Sequence, residues 1–178
     1  DNSGWSVSLN SDGTIVAIGN ESSNSYAGHV CVYQYSNSLW SKLGSNIVGE
    51  ASNDNSGRVS LNSDGTILAI GAPQNNPSTG YVRVYERDTN EAIGWKQLGS
   101  DIDGEANGDE SGYSVSLNSD GTILAIGAFF NDGTIVNSTV GHVRVYQYSN
   151  SSWSQLGDDI DGEAETDRSG WSVSLSGD

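Results

Sequence analysis

Ser111 to Gly127 reads SGYSVSLNSDGTILAIG, and nearly the same words stand twice more in the chain. SGWSVSLNSDGTIVAIG begins at Ser3, SGRVSLNSDGTILAIG begins at Ser56, and SGWSVSLSGD opens a fourth copy at Ser169. Within the stretch, SVSL alternates polar and apolar, the period of a strand with one buried face. NSDGT is a tight turn, with Gly13, Gly65 and Gly121 supplying the positive φ that a bulged hairpin requires. TILAIG is apolar on both faces, which suits a strand buried between two layers.

Working outward, each copy continues into a third strand: GHVCVYQY from Gly28, GYVRVYER from Gly80 and GHVRVYQY from Gly141. A fourth carries tryptophan, in SLWSKLG (Trp40), IGWKQLG (Trp95) and SSWSQLG (Trp153). The unit closes through NIVGEA at Asn46 or DIDGEA at Asp101 and Asp159. Starts 53, 55 and 58 residues apart, with no sustained helical period, define an all-β tandem repeat. Four antiparallel strands per unit are the signature of propeller blades, each of which buries its faces only by stacking on its neighbours. The expected division is blade 1 at 1–55, blade 2 at 56–110, blade 3 at 111–168, and at 169–178 an extra first strand that pairs with a neighbour.

The length differences have a place in this pattern. Repeat 2 has a longer third-to-fourth connection (ERDTNEAIG), and repeat 3 a longer second-to-third loop (AFFNDGTIVNSTV). Repeat 2 also lacks one residue beside Arg58. A one-residue slip inside a strand would invert its faces, so the preceding Ser-Gly is expected to absorb the loss.

Composition narrows the functions. Of 178 residues, 34% are hydrophobic, enough for one modest core or a row of small ones. Seven basic residues face 23 acidic ones, a net charge of -16, which repels phosphate backbones and anionic lipid. Neither nucleic-acid binding nor membrane insertion is expected, and no stretch approaches the ~18 apolar residues of a spanning helix. The chain shows no signal peptide or initiator methionine and opens in mid-pattern, as a processed chain or a segment of a longer one would. The single cysteine, Cys31, rules out an internal disulfide; it stands where the other copies carry Arg83 and Arg144 and reads as a plain strand thiol.

SVSLNSDGTILAIGAP followed by GYVRVY resembles the FG-GAP-like β-propeller repeats, remote relatives of integrin α-subunit propellers. Gly71-Ala72-Pro73 is a literal GAP; repeat 3 has Gly127-Ala128-Phe129 and repeat 1 has Gly19-Asn20-Glu21, while the FG half has become Ser-Gly throughout. The resemblance covers essentially the whole chain. It implies propeller blades, commonly seven to a ring, in extracellular adhesion or surface proteins. The family's D-x-D-x-D-G calcium loop does not carry over, because NSDG is too short for it.

The repeat also sorts the candidate sites. Residues present in every unit belong first to the blade, so Glu50, Glu105 and Glu163, with Asp1, Asp54, Asp109 and Asp167, are expected to accept backbone hydrogen bonds at the blade crossings. The second and third linkers add the pairs Asp101/Asp103 and Asp159/Asp161. With Glu105 and Glu163 these are hard oxygen ligands suited to a weak, exposed calcium site, against the weightier reading of a solvated acidic turn. Repeat 1 replaces the pair with Asn46 and Val48, so such a cation is optional for the fold and none is required.

Catalysis finds little support. Glycosidase chemistry needs two unlike carboxylates across a pocket, whereas these are equivalent copies. His29 and His142 share one repeat position, filled by Tyr81 between them, and no serine stands in a G-x-S-x-G elbow. No catalytic residue is assigned, and the chain is expected not to be an enzyme. Trp5 and Trp171 in first strands, like the fourth-strand tryptophans, are expected to pack between blades rather than to bind sugars.

Three N-x-[ST] sequons at Asn20, Asn137 and Asn150 are expected on exposed loops as glycan acceptors. The insertion running from Phe129, Phe130, Asn131 and Asp132 breaks the repeat and is the candidate contact loop. The leading expectation is a structural or adhesive extracellular or cell-surface module. It would join copies of itself or further blades, head to tail into a filament if the ring does not close. The alternative is a ligand- or glycan-binding propeller, a calcium-dependent lectin or receptor fragment meeting glycans or cell-surface proteins.

Overall fold

The computed structural model describes residues 2–74, 78–132 and 139–177. Each repeat forms one antiparallel sheet. In the first, β1 (Ser6–Leu9), β2 (Ile15–Asn20), β3 (His29–Ser36) and β4 (Leu39–Lys42) pair in chain order, and β5 (Ile47–Val48) pairs with the start of β3. The fourth strand is therefore broken in two. The second sheet repeats this with β6 (Arg58–Leu61), β7 (Ile67–Ala72), β8 (Tyr81–Arg87), β9 (Trp95–Gln97) and β10 (Ile102–Asp103). The third uses β11 (Ser114–Leu117), β12 (Ile123–Ala128), β13 (His142–Ser149), β14 (Ser152–Gln155) and β15 (Ile160–Asp161). The described residues contain no helix, and so none long and apolar enough to cross a membrane.

The turn chemistry follows the repeated words. The Asn10 side-chain oxygen accepts the Ile15 N–H at 2.8 Å, and the Asp12 carboxylate accepts the Thr14 N–H at 2.9 Å. Asn62/Ile67 and Asn118/Ile123 repeat the first bond. Successive turns are also tied together, Ser11 N–H to the Ser63 carbonyl and Ser63 N–H to that of Ser119.

The missing residue of repeat 2 is absorbed ahead of the strand. Arg58 lies opposite Gly71 as Ser6 lies opposite Gly19 and Ser114 opposite Gly127, so every later residue keeps its face.

The core lies between the sheets. Ile15, Ala17, Val30 and Val32 of blade 1 meet Val59, Leu61, Leu68 and Ile70 of blade 2. Ala69, Val82 and Val84 meet Leu117, Leu124 and Ile126 across the next junction. First strands lie side by side: Ser6 and Ser8 hydroxyls accept the Val59 and Leu61 N–H groups at 3.0 and 2.9 Å, and Ser60 accepts that of Leu117. The alternating serines thus satisfy backbone donors that face the neighbouring blade rather than a ladder partner.

Residues 169–177 hold the place of a fourth blade's first strand. Leu175 N–H reaches the Ser116 hydroxyl at 2.9 Å, as Leu117 reaches Ser60. With no second strand beside it among the described residues, this segment forms no ladder.

Tryptophan seals each junction from outside. Trp95 is buried and its indole N–H donates to the Leu43 carbonyl at 3.3 Å; Trp153 donates to Leu98 at 3.0 Å. Trp40 makes no such bond among the described residues and is half exposed. Trp95→Phe is expected to destabilise the chain by about 1–2 kcal/mol through the orphaned carbonyl and lost area, and Trp40→Phe by less than about 0.5 kcal/mol. Thermal or urea melts of the two variants check the difference.

Candidate functional site

Two regions concentrate interacting polar and aromatic groups: the blade junctions, where DIDGEA lies, and the end of the first strands where Ser-Gly enters.

At the junctions, β8 alternates buried apolar residues with Arg83, whose guanidinium grips Asp101 in two bonds of 2.8 and 2.6 Å. It also pairs with Glu50 of the preceding linker at 2.5 Å. Blade 3 repeats the arrangement: Arg144 holds Asp159 at 2.9 Å twice and pairs with Glu105. Gln97 and Gln155 each add a hydrogen bond to the aspartate. The arginine bonds hold Asp101 and Asp159 below the ordinary carboxylate range, against the opposing effect of partial burial.

DIDGEA therefore divides by residue. Its first aspartate closes an ion pair within its own blade, Ile102 enters the core, Asp103 faces solvent, and Glu105 reaches forward to the next blade's arginine. Asp161 is exposed like Asp103, and Glu163 is exposed with no basic partner among the described residues. The first aspartates of the second and third linkers thus meet a guanidinium, where a solvated acidic turn was the weightier expectation and a weak calcium site its alternative. Glu105, His142 and Asp159 lie close enough to share a cation, yet Arg144 already bonds both carboxylates.

The crossing aspartates behave as expected, but the glutamates do not. Asp54 and Asp109 accept the Ala51 and Ala106 N–H groups, and Asp167 those of Glu163 and Ala164. Glu50 and Glu105 instead carry the inter-blade ion pairs. Asp1 lies outside the described residues. Asp54 also accepts the Tyr81 hydroxyl, and burial followed by this carboxylate pushes the phenol up.

Sequence reading missed the arginines, although the signal was present. In repeat 1, Cys31 replaces arginine while Asn46 replaces aspartate, and the two now touch, Cys31 Sγ to Asn46 Oδ1 at 3.3 Å. Two positions that change together mark a contact.

At the strand-entry end, Arg58 fills the gap left by the missing aromatic of repeat 2. Its guanidinium lies 5.0 Å from the Trp5 ring centre and 4.5 Å from that of Tyr113. Tyr113 continues the stack to Trp171 at 5.1 Å and to Phe129 at 4.1 Å. Glu21 lies 3.5 Å from Arg58, and burial raises its carboxyl against the pull of that arginine. Burial likewise raises Glu110, against Gln74 and Arg58.

Several surface expectations need correction. Phe129 is buried because it packs on Tyr113, Trp171 and Phe130, and Asn131 is buried while donating to Asp109 at 3.0 Å. Only Phe130 and Asp132, both half-buried, leave part of this stretch available for contact. Asn20 ends β2 with 2% exposure, inside the structure rather than on a loop, which leaves no room for a glycan. Asn150 is exposed in the β13–β14 turn, and Asn137 lies outside the described residues.

Burial, then the Arg144 charge, lowers His142; Asp159, Glu105 and Asp109 pull the other way. A histidine held neutral in the fold but protonated when unfolded makes stability fall as the pH drops through about 6.5. Asp101 and Asp159, depressed in the fold, contribute stability that is present above about pH 4 and lost below it. Thermal midpoints are thus expected to decline in two stages on acidification. His142→Tyr, which copies Tyr81, should shrink the upper stage; the remainder belongs to His29, lowered by burial and then by Lys42.

No protein-family model and no curated protein matches this chain. Solved structures do. A candidate 6-phosphogluconolactonase from Bacteroides fragilis aligns at a TM-score of 0.59 and 13% identity, over 90% of this chain and 39% of that one. Kuenenia stuttgartiensis hydrazine synthase aligns at 0.57 and 14%, over 96% and 52%. The β-propeller domain of the Trilobed protease from Pyrococcus furiosus aligns at 0.53 and 14%, over 88% and 41%. The chain spans between about two-fifths and about half the length of these structures. It is a run of three β-propeller blades with the start of a fourth. The expectation that it is not an enzyme does not stand, because proteins described as enzymes share this fold and the fold gives no ground for that exclusion. At such identities the likeness carries the fold alone.

Proposed function

We propose that the chain is a structural and adhesive propeller module of the FG-GAP-like kind, working outside the cell or at its surface. The observation that carries this reading is where the repeated polar groups go. Serine hydroxyls, glutamates, arginines and indole N–H groups bond across the junctions, so the repeat serves to join blades. The side chains that depart from the repeat gather at the strand-entry end, around Arg58, Tyr113 and Phe130. A strongly acidic, cysteine-poor surface is compatible with a saline exterior. Immunogold labelling of source cells with antibody to this chain should place it at the surface or in the matrix; confinement to the cytoplasm would overturn the reading.

Glycan binding is favoured as a second reading by one observation: Trp5 and Trp171 are half exposed at either end of the aromatic stack. Oligosaccharide titration should then quench tryptophan fluorescence in the native chain and not in Trp171→Ala. Calcium is not invoked for either reading. Millimolar calcium or chelator is expected to leave the thermal midpoint unchanged, since guanidinium groups already neutralise Asp101 and Asp159.

A further inference from the structure

We infer that Asn150 carries an N-linked glycan whose first sugar lies in the groove between blades 2 and 3. This rests on the reading of a protein outside the cell, and it begins from a difference between the two junctions inside the chain.

At the first junction, the long connection of blade 2 folds over blade 1. The Ile93 carbonyl accepts the Ser45 N–H at 2.9 Å, and Gly94 packs on Gly44. At the second, the connection of blade 3 is only the turn Asn150-Ser151, with the Ser151 carbonyl beside Gly99. Ser100 is the counterpart of Ser45, and its N–H has no partner among the described residues. A groove of about 430 Å³ lies beside this turn, with walls from blades 2 and 3 alone. Leu98 and Tyr148 give it apolar surface, and Glu86, Lys96 and Asp120 give it charge.

The turn identifies the occupant. Asn150 and Ser151 have φ of 50° and 63°, the two-residue hairpin geometry that favours asparagine. Asn37 and Ser38 of blade 1 repeat it at 51° and 63°, so the turn by itself explains the asparagine. It does not explain the hydroxyl two residues on, where blade 3 has Ser152 and blade 1 has Leu39. Of these two turns, only the one beside the groove is a glycan acceptor.

The donor class is an oligosaccharide linked through N-acetylhexosamine to a polyprenyl pyrophosphate. The Asn150 amide nitrogen attacks C1 of that sugar: a C1–N bond forms and the C1–O bond to pyrophosphate breaks. The lipid pyrophosphate leaves, and the amide proton passes to a base of the transferring enzyme. Once attached, the sugar offers Ser100 an acetamido carbonyl, the acceptor chemistry that Ile93 offers Ser45. Its apolar ring face covers Tyr148, and its hydroxyls meet Glu86, Lys96 and Asp120. The glycan thus does for the second junction what residues 88–94 do for the first.

The test compares the Asn137→Gln chain secreted from a eukaryotic host with the same bare chain made in a bacterial cytoplasm. Peptide mass mapping should find glycan on Asn150 of the secreted chain. Relative to the bare chain, amide exchange at Ser100 should slow about tenfold while Ser45 stays unchanged. The thermal midpoint should rise by about 2–4 °C. Tyr148→Ala should keep the glycan and lose that rise, a comparison made within the variant and so independent of its own stability. An unmodified Asn150, a Ser100 amide that exchanges as fast as in the bare chain, or a rise that survives Tyr148→Ala would overturn the inference. The host supplies the modification wherever the protein naturally resides, so this result and the immunogold result fail separately.

Discussion

Arg83→Ala is expected to lower stability by about 3 kcal/mol and the thermal midpoint by about 6–12 °C. The guanidinium is 11% exposed and holds two carboxylates, one in its own blade and one in the blade before. Removing it leaves Asp101 and Glu50 facing each other across the junction without a counterion. Full burial would make the loss larger, but Asp101 is 30% and Glu50 63% exposed, so water recovers part of it. The diagnostic variant combines Arg83→Cys, Gln97→Lys and Asp101→Asn, copying blade 1. It should regain at least half of the lost stability, because it also removes the aspartate whose charge needed the arginine. Urea melts of the single and triple variants decide this; a triple variant weaker than Arg83→Ala would show that the three positions do not act as one.

Gly71→Ala is expected to be as damaging, by about 3 kcal/mol, for a different reason. An added Cβ would lie 2.1 Å from the Gly112 carbonyl oxygen, and that oxygen belongs to the backbone of the next blade. Neither side can yield by a rotamer change, so the blades must part. Gly19 against Gly57 and Gly127 against Gly170 repeat the approach, which explains a glycine at the same point of every second strand. The control is Gly108→Ala, whose Cβ meets nothing within 4 Å and which carries only the cost of its φ of 96°. It should lose no more than about 1 kcal/mol. Equal losses at the two positions would refute the close-approach account.

The blades were legible in the sequence because hairpin turns and alternating strands are written within about twenty neighbouring residues. The absorbed deletion beside Arg58 was legible for the same reason: a slip would have exposed Val59 and Leu61, which the structure buries. The junction ion pairs were harder to read: Arg83 and Asp101 are linked only by their joint replacement with Cys31 and Asn46 in repeat 1, and Glu50 and Arg83 lie in different blades with no such change to link them. The fates of Phe129 and Asn20 were not legible, because a departure from the repeat looks like a surface loop until a neighbour such as Tyr113 is placed against it. DIDGEA lost its unity as a site for the same reason: its carboxylates point to three different surroundings.

The serine hydroxyls of the first strands have a consequence for how the chain is made. Ser6 and Ser8 lie in blade 1, and the N–H groups they accept, those of Val59 and Leu61, follow some 53 residues later. As the polypeptide leaves the ribosome, each finished sheet already displays the acceptors for the opening strand of the next. That strand can be captured before its own hairpin exists, and synthesis from the N-terminus becomes growth on a template, one sheet at a time.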